Sequence, residues 1–131
     1  CTRYVGPVYG PAKEDFYGNL DVLLFPSDYA NEAEPLVIHE AIRNGVHVIA
    51  CERGAVADIL SNQAGVVAAK AAFVHTAVRH IENFSSNRHD LRRAQRSSLD
   101  QAARMREGAR EKLESLVDEI SGSVKRSLQT C

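Results

Sequence analysis

The sequence has no tryptophan, only three cysteines and no apolar run near the roughly twenty residues of a membrane-spanning helix. The cysteines, Cys1, Cys51 and Cys131, are odd in number and widely spaced, which argues against a disulfide framework or a metal knuckle. Such sparse cysteine use is typical of a reducing compartment. No spacing of histidine, cysteine and acidic residues suits a metal ion, so we expect no metal site.

What remains is the composition of one ordinary soluble domain, with 44% hydrophobic and 25% charged residues in 131 positions. The formal net charge is -1, but residues 1–60 hold nine acidic and four basic residues, whereas residues 61–131 hold eight and twelve. The basic excess centres on Arg88, Arg92, Arg93 and Arg96, without interleaved aromatic residues. This pattern favours a solvated helix face, and we expect no nucleic-acid partner.

The start of the chain suggests a segment of a longer protein. The chain begins with Cys1 rather than Met, and no signal pattern follows. Residues 121–131 are polar, so we expect them to form a frayed tail. The predicted domain therefore spans residues 1–120.

Short apolar runs alternate with helical patterns. The predicted strands are residues 3–8, 20–25, 46–50 and 65–69, and the predicted helices are 12–19, 35–44, 54–60, 71–84 and 88–120. The last helix carries an apolar stripe: Ala102, Met105, Ala109, Leu113, Leu116 and Ile120. The alternation predicts an α/β fold, a Rossmann-like parallel sheet of about four strands with flanking helices and a long C-terminal helix. Ligands of such sheets bind beyond the carboxyl ends of the strands.

The loop between the second predicted strand and its helix is the candidate for chemistry. Pro35 has no N–H, and Glu34 before it is not a favoured capping residue. The amides of Leu36 and Val37 are therefore open to an anion such as a phosphate. The helix dipole contributes about 0.3–1 kcal/mol there, and up to ~2 kcal/mol when partly buried, so basic side chains must supply the rest.

Two glutamates, one in this loop and one in the helix that follows, each allow two interpretations. Glu40 lies on the polar arc of the helix, where it can accept hydrogen bonds from a sugar diol or pair with Arg43. Spacing alone favours the surface pair with Arg43. Glu32 can accept hydrogen bonds from hexose hydroxyls, or it belongs to an acidic, solvated loop.

The segment DVLLFPSDYANEAEPLVIHEAIRNGVHVIACERGAVADIL resembles the signature region of retaining family 4 (group 1) glycosyltransferases, which have the GT-B fold. The residues that match in register are Asp21, Pro26, Ser27, Glu32, Glu40, Ala41, Gly45, Val48, Ile49 and Gly54. The resemblance covers about residues 4–84. It implies the donor-binding C-terminal domain of such an enzyme, an incomplete half of a GT-B fold with the N-terminal acceptor domain absent.

The resemblance also implies roles for individual residues. Glu32 would be the catalytic residue beside the donor hexose, and Glu40 would bind the ribose of the nucleotide. The implied donor-binding set is Glu40, Glu34, Pro35, Leu36, Val37, Gly6 and Tyr9, the last two near the base.

The implied activity is transfer of a sugar from a UDP- or GDP-sugar to an acceptor hydroxyl with retention, without a cofactor or a bound metal. The acceptor, a sugar or a lipid-linked glycan, would bind through the absent domain, so we expect the fragment alone to be inactive. The implied location is cytoplasmic, with the full enzyme peripheral to the inner face of the membrane.

This chain departs from the family pattern at several places. It has Ala33-Glu34-Pro35 where the family often has Gly-aromatic-Gly, and Val46-His47-Val48-Ile49 where the family strand reads Pro-Val-Ile. The family's diphosphate-binding Arg and Lys lie upstream, in a segment that this chain lacks. That segment would also hold the sheet neighbours of residues 3–8. We therefore expect those residues to pair beside the second strand, or the chain to form a strand-swapped homodimer.

Three other functions are alternatives to glycosyl transfer. A receiver-like module needs an Asp at the end of the second strand, where this chain has Phe25-Pro26-Ser27, so that reading is disfavoured. A non-catalytic Rossmann-like binding or structural module stays open. So does a GT-B-type nucleotide-sugar epimerase fragment, which only the sugar product distinguishes from a transferase.

Overall fold

The structure is a computed structural model that describes residues 2–29, 33–61 and 63–129, with side chains through residue 123. The strands are β1 (Val22–Phe25), β2 (His47–Cys51) and β3 (Gly65–Ala68). The helices are α1 (Ala12–Gly18), α2 (Leu36–Arg43), α3 (Val56–Ile59), α4 (Phe73–Ser86) and α5 (Arg88–Gln129), with a 3-10 turn at Lys70–Ala72.

The three strands form one parallel sheet in the order β1-β2-β3. Val22 pairs with His47, and Val48 pairs with Gly65. The two crossovers contain α2 and α3, as parallel neighbours require. The predicted α/β class, a partial Rossmann-like sheet with flanking helices and a long C-terminal helix, is confirmed.

Both faces of the sheet are covered, which explains why its central strand reads as a continuous apolar run. Side chains alternate along β2, so Val48 and Ala50 join one cluster, which contains residues of α2 and α3. Ile49 and Cys51 join the other, which includes Phe73 of α4. All five residues of β2 are buried.

The predicted strand at residues 3–8 is wrong. These residues adopt no regular secondary structure, and Tyr4 is 91% exposed. Within the described part of the chain β1 pairs only with β2, so residues 3–8 do not pair beside it as expected. A strand needs a neighbour for its backbone hydrogen bonds, and none of the three described strands pairs with this segment. The strand-swapped homodimer stays a prediction.

Helix α5 runs without a break from Arg88 to Gln129, past Ile120, where we expected the helix to end. Of its apolar stripe, Ala102 and Met105 pack against the core, whereas Leu113 and Ile120 are exposed. No described helix has the length and apolar character needed to cross a membrane.

Two buried polar side chains fix the N-terminal half of α5 to the domain. Ser98 is fully buried, and its hydroxyl donates to the Ala64 carbonyl at 3.0 Å. Gln101 Nε2 donates to the Ile59 carbonyl at 3.2 Å. These bonds satisfy the carbonyl of Ile59, the last residue of α3, and that of Ala64, which directly precedes β3.

His47 is buried at the start of β2, packed edge-on against Phe84 with ring centroids 5.3 Å apart. Burial, together with the nearby His80, lowers the pKa of His47 from 6.5 to about 4. Burial also lowers the pKa of His80, with Arg79 contributing. The His47 side chain is therefore neutral in the folded protein near neutral pH.

We expect the free energy of unfolding to fall by about 2 kcal/mol from pH 7.5 to pH 5 because of His47. The unfolded chain takes up this proton below about pH 6.5, but the folded chain does so only near pH 4, so acid favours unfolding in that window. Urea titrations at the two pH values measure the difference. His47→Phe should remove most of this pH dependence of the free energy of unfolding. His75→Phe, at an exposed position on α4, should retain it. An equal pH dependence in both variants would contradict the assignment to His47.

Candidate functional site

The N-terminus of α2 is open at the carboxyl edge of the sheet. Pro35 precedes the helix with an extended backbone (φ -75°, ψ 109°), and within the described residues no side chain caps this end. The Ile38 N–H donates to the Pro35 carbonyl at 3.0 Å. Pro35 is buried, Val37 is half-buried and Leu36 is 73% exposed. Among the described residues, Leu36 at the entrance to the helix is therefore exposed to solvent.

Glu40 lies one turn further along α2, and α1 supplies its partners. Lys13 Nζ donates to Glu40 Oε1 at 2.7 Å, and the Tyr17 hydroxyl donates to Glu40 Oε2 at 3.1 Å. The surface pair with Arg43 that spacing favoured is thus not the contact formed. Lys13 and Tyr17 were not predicted as partners, although their spacing of four residues places both on one face of α1.

These contacts keep Glu40 ionised and oriented. The hydrogen bond from Lys13 lowers the pKa of Glu40, with smaller contributions from Tyr17 and Arg43. Burial first, and then the Glu40 carboxylate, raise the pKa of Tyr17 to about 12, so its hydroxyl remains a donor. An ionised carboxylate has about four lone-pair positions, and two are used here. Glu40 can therefore accept further hydrogen bonds from a ligand.

Glu34 lies just before α2, is exposed, and shares a hydrogen bond with a residue of that helix. Its Oε1 lies 2.8 Å from Nε2 of His39, which donates this hydrogen bond to the carboxylate. Glu34 thus places a negative charge beside the N-terminus of α2. That charge is compatible with the helix dipole but opposes a second anion at the same point.

Of the two predicted base-binding residues, Tyr9 lies on a separate cavity. Gly6 has a positive φ of 76°, which a glycine adopts without strain. Tyr9 lines a cavity of about 600 Å³ together with residues of α1 and with Arg3, Val5, Pro7 and Val8, whereas Gly6 is not part of its lining. The residues of α1 on this cavity are Ala12, Asp15 and Phe16, whereas those that contact Glu40 are Lys13 and Tyr17. Glu40 and Tyr9 are therefore on different faces of α1, and the structure does not bring them together.

Three charged side chains that the sequence did not single out meet at the carboxyl edge. Asp28, after β1, accepts hydrogen bonds from Arg53 (2.6 Å), after β2, and from Lys70, after β3. The Lys70 and Arg53 contacts lower the pKa of Asp28. The Ala55 N–H donates to the Ala33 carbonyl at 2.8 Å, which holds the turn after β2 against the segment that leads into α2.

Glu32, the predicted catalytic residue, lies outside the described residues. Within the described part of the chain, no group of three or more His, Cys, Asp or Glu side chains is arranged to hold a metal ion. The described site therefore consists of three parts. They are the N-terminus of α2 at Leu36, Glu40 with its hydrogen bonds from Lys13 and Tyr17, and Asp28 with its contacts to Arg53 and Lys70.

A comparison with known proteins identifies the family of this chain. The sequence profile of the family described as glycosyl transferases group 1 matches residues 2–112. A comparison with curated proteins finds no match. The matched region runs from the N-terminal segment into α5 and so contains the whole sheet, α2 and Glu40. Because the match covers most of the chain, the chain belongs to the group 1 glycosyl transferases.

Proposed function

We propose that the chain binds a nucleoside diphosphate sugar, a UDP- or GDP-sugar, at the entrance of α2. The observation that carries this proposal is the Glu40 carboxylate, held by Lys13 and Tyr17 one turn beyond an open helix N-terminus. In this arrangement Glu40 holds the ribose diol, and the amides of Leu36 and Val37 lie by the diphosphate. Membership of a glycosyl-transferring family supports it.

The remaining donor contacts come from the same edge. Glu32 lies by the donor hexose in this proposal, and Glu34 and Pro35 lie between the hexose and the diphosphate. Arg53 and Lys70 bring two cationic side chains to this edge, where both contact Asp28. In this proposal they turn towards the diphosphate and offset the negative charges of Asp28 and Glu34.

The proposed reaction is transfer of the sugar to an acceptor hydroxyl with retention of configuration and without a metal. The leaving diphosphate develops charge as the glycosidic bond breaks, and fixed amides and cations stabilise it. Donor binding alone does not accelerate the reaction, because catalysis needs contacts that strengthen in the transition state. An acceptor sugar or a lipid-linked glycan completes the site in the full enzyme, which we place in the cytoplasm at the membrane surface.

Isothermal titration calorimetry with UDP-glucose and GDP-mannose tests the donor class. We expect one of the two to bind with a Kd in the micromolar to millimolar range, and the matching nucleoside diphosphate to compete with it. Glucose or mannose alone should give no heat, because neither carries the diphosphate and ribose groups that the entrance holds. If neither nucleotide sugar nor UDP nor GDP binds at millimolar concentration, the donor proposal is wrong and a purely structural domain is the better reading.

A further inference from the structure

The C-terminal part of α5 carries an apolar face that the described chain leaves exposed. Ala102 and Met105 pack against the core, but the same side of the helix stays apolar beyond them. Its large apolar side chains there, each between 52% and 61% exposed, are Leu113, Leu116, Val117 and Ile120. These four residues are called the α5 stripe. Their spacing of three and four residues aligns them on one face of the helix, which is the pattern of a helix that packs on another helix.

The α5 stripe lies outside the sequence on which family membership rests. The match to the group 1 glycosyl transferases ends at residue 112, directly before Leu113. The proposed donor site uses α1, α2 and the carboxyl edge of the sheet, and none of its residues belongs to the stripe. The stripe is therefore a separate surface of this chain.

The charges along α5 change sign where the stripe begins. Residues 104–112 hold four basic and two acidic residues, whereas residues 113–123 hold three acidic residues and no basic one. An anionic lipid surface would repel the second of these segments. A second copy of α5 in parallel orientation would set like segments side by side, but an antiparallel copy sets the basic segment against the acidic one. The charge pattern therefore favours a second copy of this chain in antiparallel orientation.

Two charged side chains beside the stripe fix the alignment of such a pair. Lys112 and Glu119 are seven residues apart, about two helical turns, and so lie on the same flank of the stripe. The ion pairs described in this part of α5 join Arg110 to Glu107 and to Glu114. Among the described side chains, neither Lys112 nor Glu119 forms an ion pair. Both charges are available to a partner.

We propose that the α5 stripe packs against the same stripe of a second copy, with the two helices antiparallel. A two-fold axis that crosses α5 between residues 115 and 116 places Lys112 of each copy opposite Glu119 of the other. The two Leu116 side chains then meet near the axis, and Leu113 of each copy lies close to Val117 of the other. The same surface is used on both copies, so the pair closes as a dimer. The inference does not depend on the proposed donor site.

Sedimentation velocity of the whole chain in reducing buffer, which excludes disulfide-linked dimers, tests the proposal. The interface is small, so we expect a monomer–dimer equilibrium with a Kd on the order of 10–100 µM. Leu116→Glu should weaken dimerisation at least tenfold, because it places two like charges at the axis. Val74→Glu is the matched control, since Val74 is an apolar residue on α4 that is 71% exposed, and it should leave the Kd unchanged.

Two charge reversals test the orientation of the helices. Lys112→Glu and Glu119→Lys should each weaken dimerisation about three- to tenfold, because each sets like charges opposite one another at two places in the dimer. The double variant should restore the Kd of the parent within about twofold. Residues 112 and 119 are too far apart to contact each other within one helix, so this rescue has to come from the second copy.

Three results would each overturn the proposal. They are a parent chain that stays monomeric up to about 500 µM, a dimer whose Kd is unchanged by Leu116→Glu, and a double charge reversal that does not recover the parent Kd. The second result would place the interface elsewhere, as the strand-swapped dimer through residues 3–8 does. Circular dichroism of each variant confirms that α5 keeps its helical content, since the changed positions on α5 are exposed.

Discussion

Glu40→Gln is expected to weaken binding of the nucleotide sugar about 10- to 100-fold. A hydrogen bond to a charged group is worth roughly 1.5–3 kcal/mol, and a factor of ten in Kd corresponds to 1.4 kcal/mol. Glutamine keeps the size of the side chain but replaces one acceptor oxygen with a donor and removes the charge. It also releases Lys13, whose Nζ lies 2.7 Å from Glu40 Oε1. Calorimetry with the nucleotide sugar that binds the parent chain measures the change.

Two further variants separate binding from folding. Glu14→Gln, next to Lys13 on α1 and exposed, changes the net charge by the same amount and should leave the Kd unchanged. Tyr17→Phe removes only the 3.1 Å hydrogen bond to Glu40, so we expect a smaller loss, about two- to tenfold. An unaltered Kd in a folded Glu40→Gln protein would remove Glu40 from the ribose site and, with it, the main support for the proposed donor geometry.

Gly65→Ala is expected to destabilise the fold by about 1–3 kcal/mol or more, which lowers Tm by roughly 5–12 °C. A Cβ atom at Gly65 would lie 2.5 Å from the Val48 carbonyl oxygen and 2.9 Å from a methyl group of Leu60. The Val48 carbonyl belongs to the β2–β3 pairing, so the strand itself has to shift to make room. Thermal and urea denaturation followed by circular dichroism measures the loss.

Gly108→Ala is the matched control. Gly108 lies inside α5 with nothing within 4 Å of an added Cβ, and its φ is not positive. Alanine is favoured over glycine in a helix interior, so this variant should be more stable by about 0.5–1 kcal/mol. The same chemical change thus has opposite signs at the two positions. A Gly65→Ala protein as stable as the parent would show that β2 and β3 are not packed as described.

Much of the fold follows from local sequence. Short apolar runs bounded by glycine, proline and polar residues predict β1, β2 and β3 within two residues of their observed limits. Pro35 and Gly45 bracket α2, since proline suits a helix start and glycine suits its end; Gly45 has φ +75°. The apolar arc of α2 is also confirmed, as Ile38, Ala41 and Ile42 are buried.

Other features depend on contacts between residues that are far apart in the sequence. Local sequence patterns do not predict such contacts. The partner of Glu40 is Lys13, 27 residues away, because α1 packs on α2 in the folded chain. The Arg53–Asp28 contact spans 25 residues and the Lys70–Asp28 contact spans 42. In α5, periodicity predicts an apolar stripe, but only the position of the sheet decides that Met105 packs and Leu113 does not.

By itself, the sequence determined the α/β alternation, the parallel sheet, the open helix start at Pro35 and the family resemblance, because each depends on neighbouring residues or on a fixed spacing. Only the tertiary structure decided that residues 3–8 form no strand, that Lys13 and Tyr17 hold Glu40, and that the His47 ring has no hydrogen-bond partner among the described residues. Strand pairing, ion pairing and burial need a second segment of chain, and the folded arrangement alone specifies which segment that is.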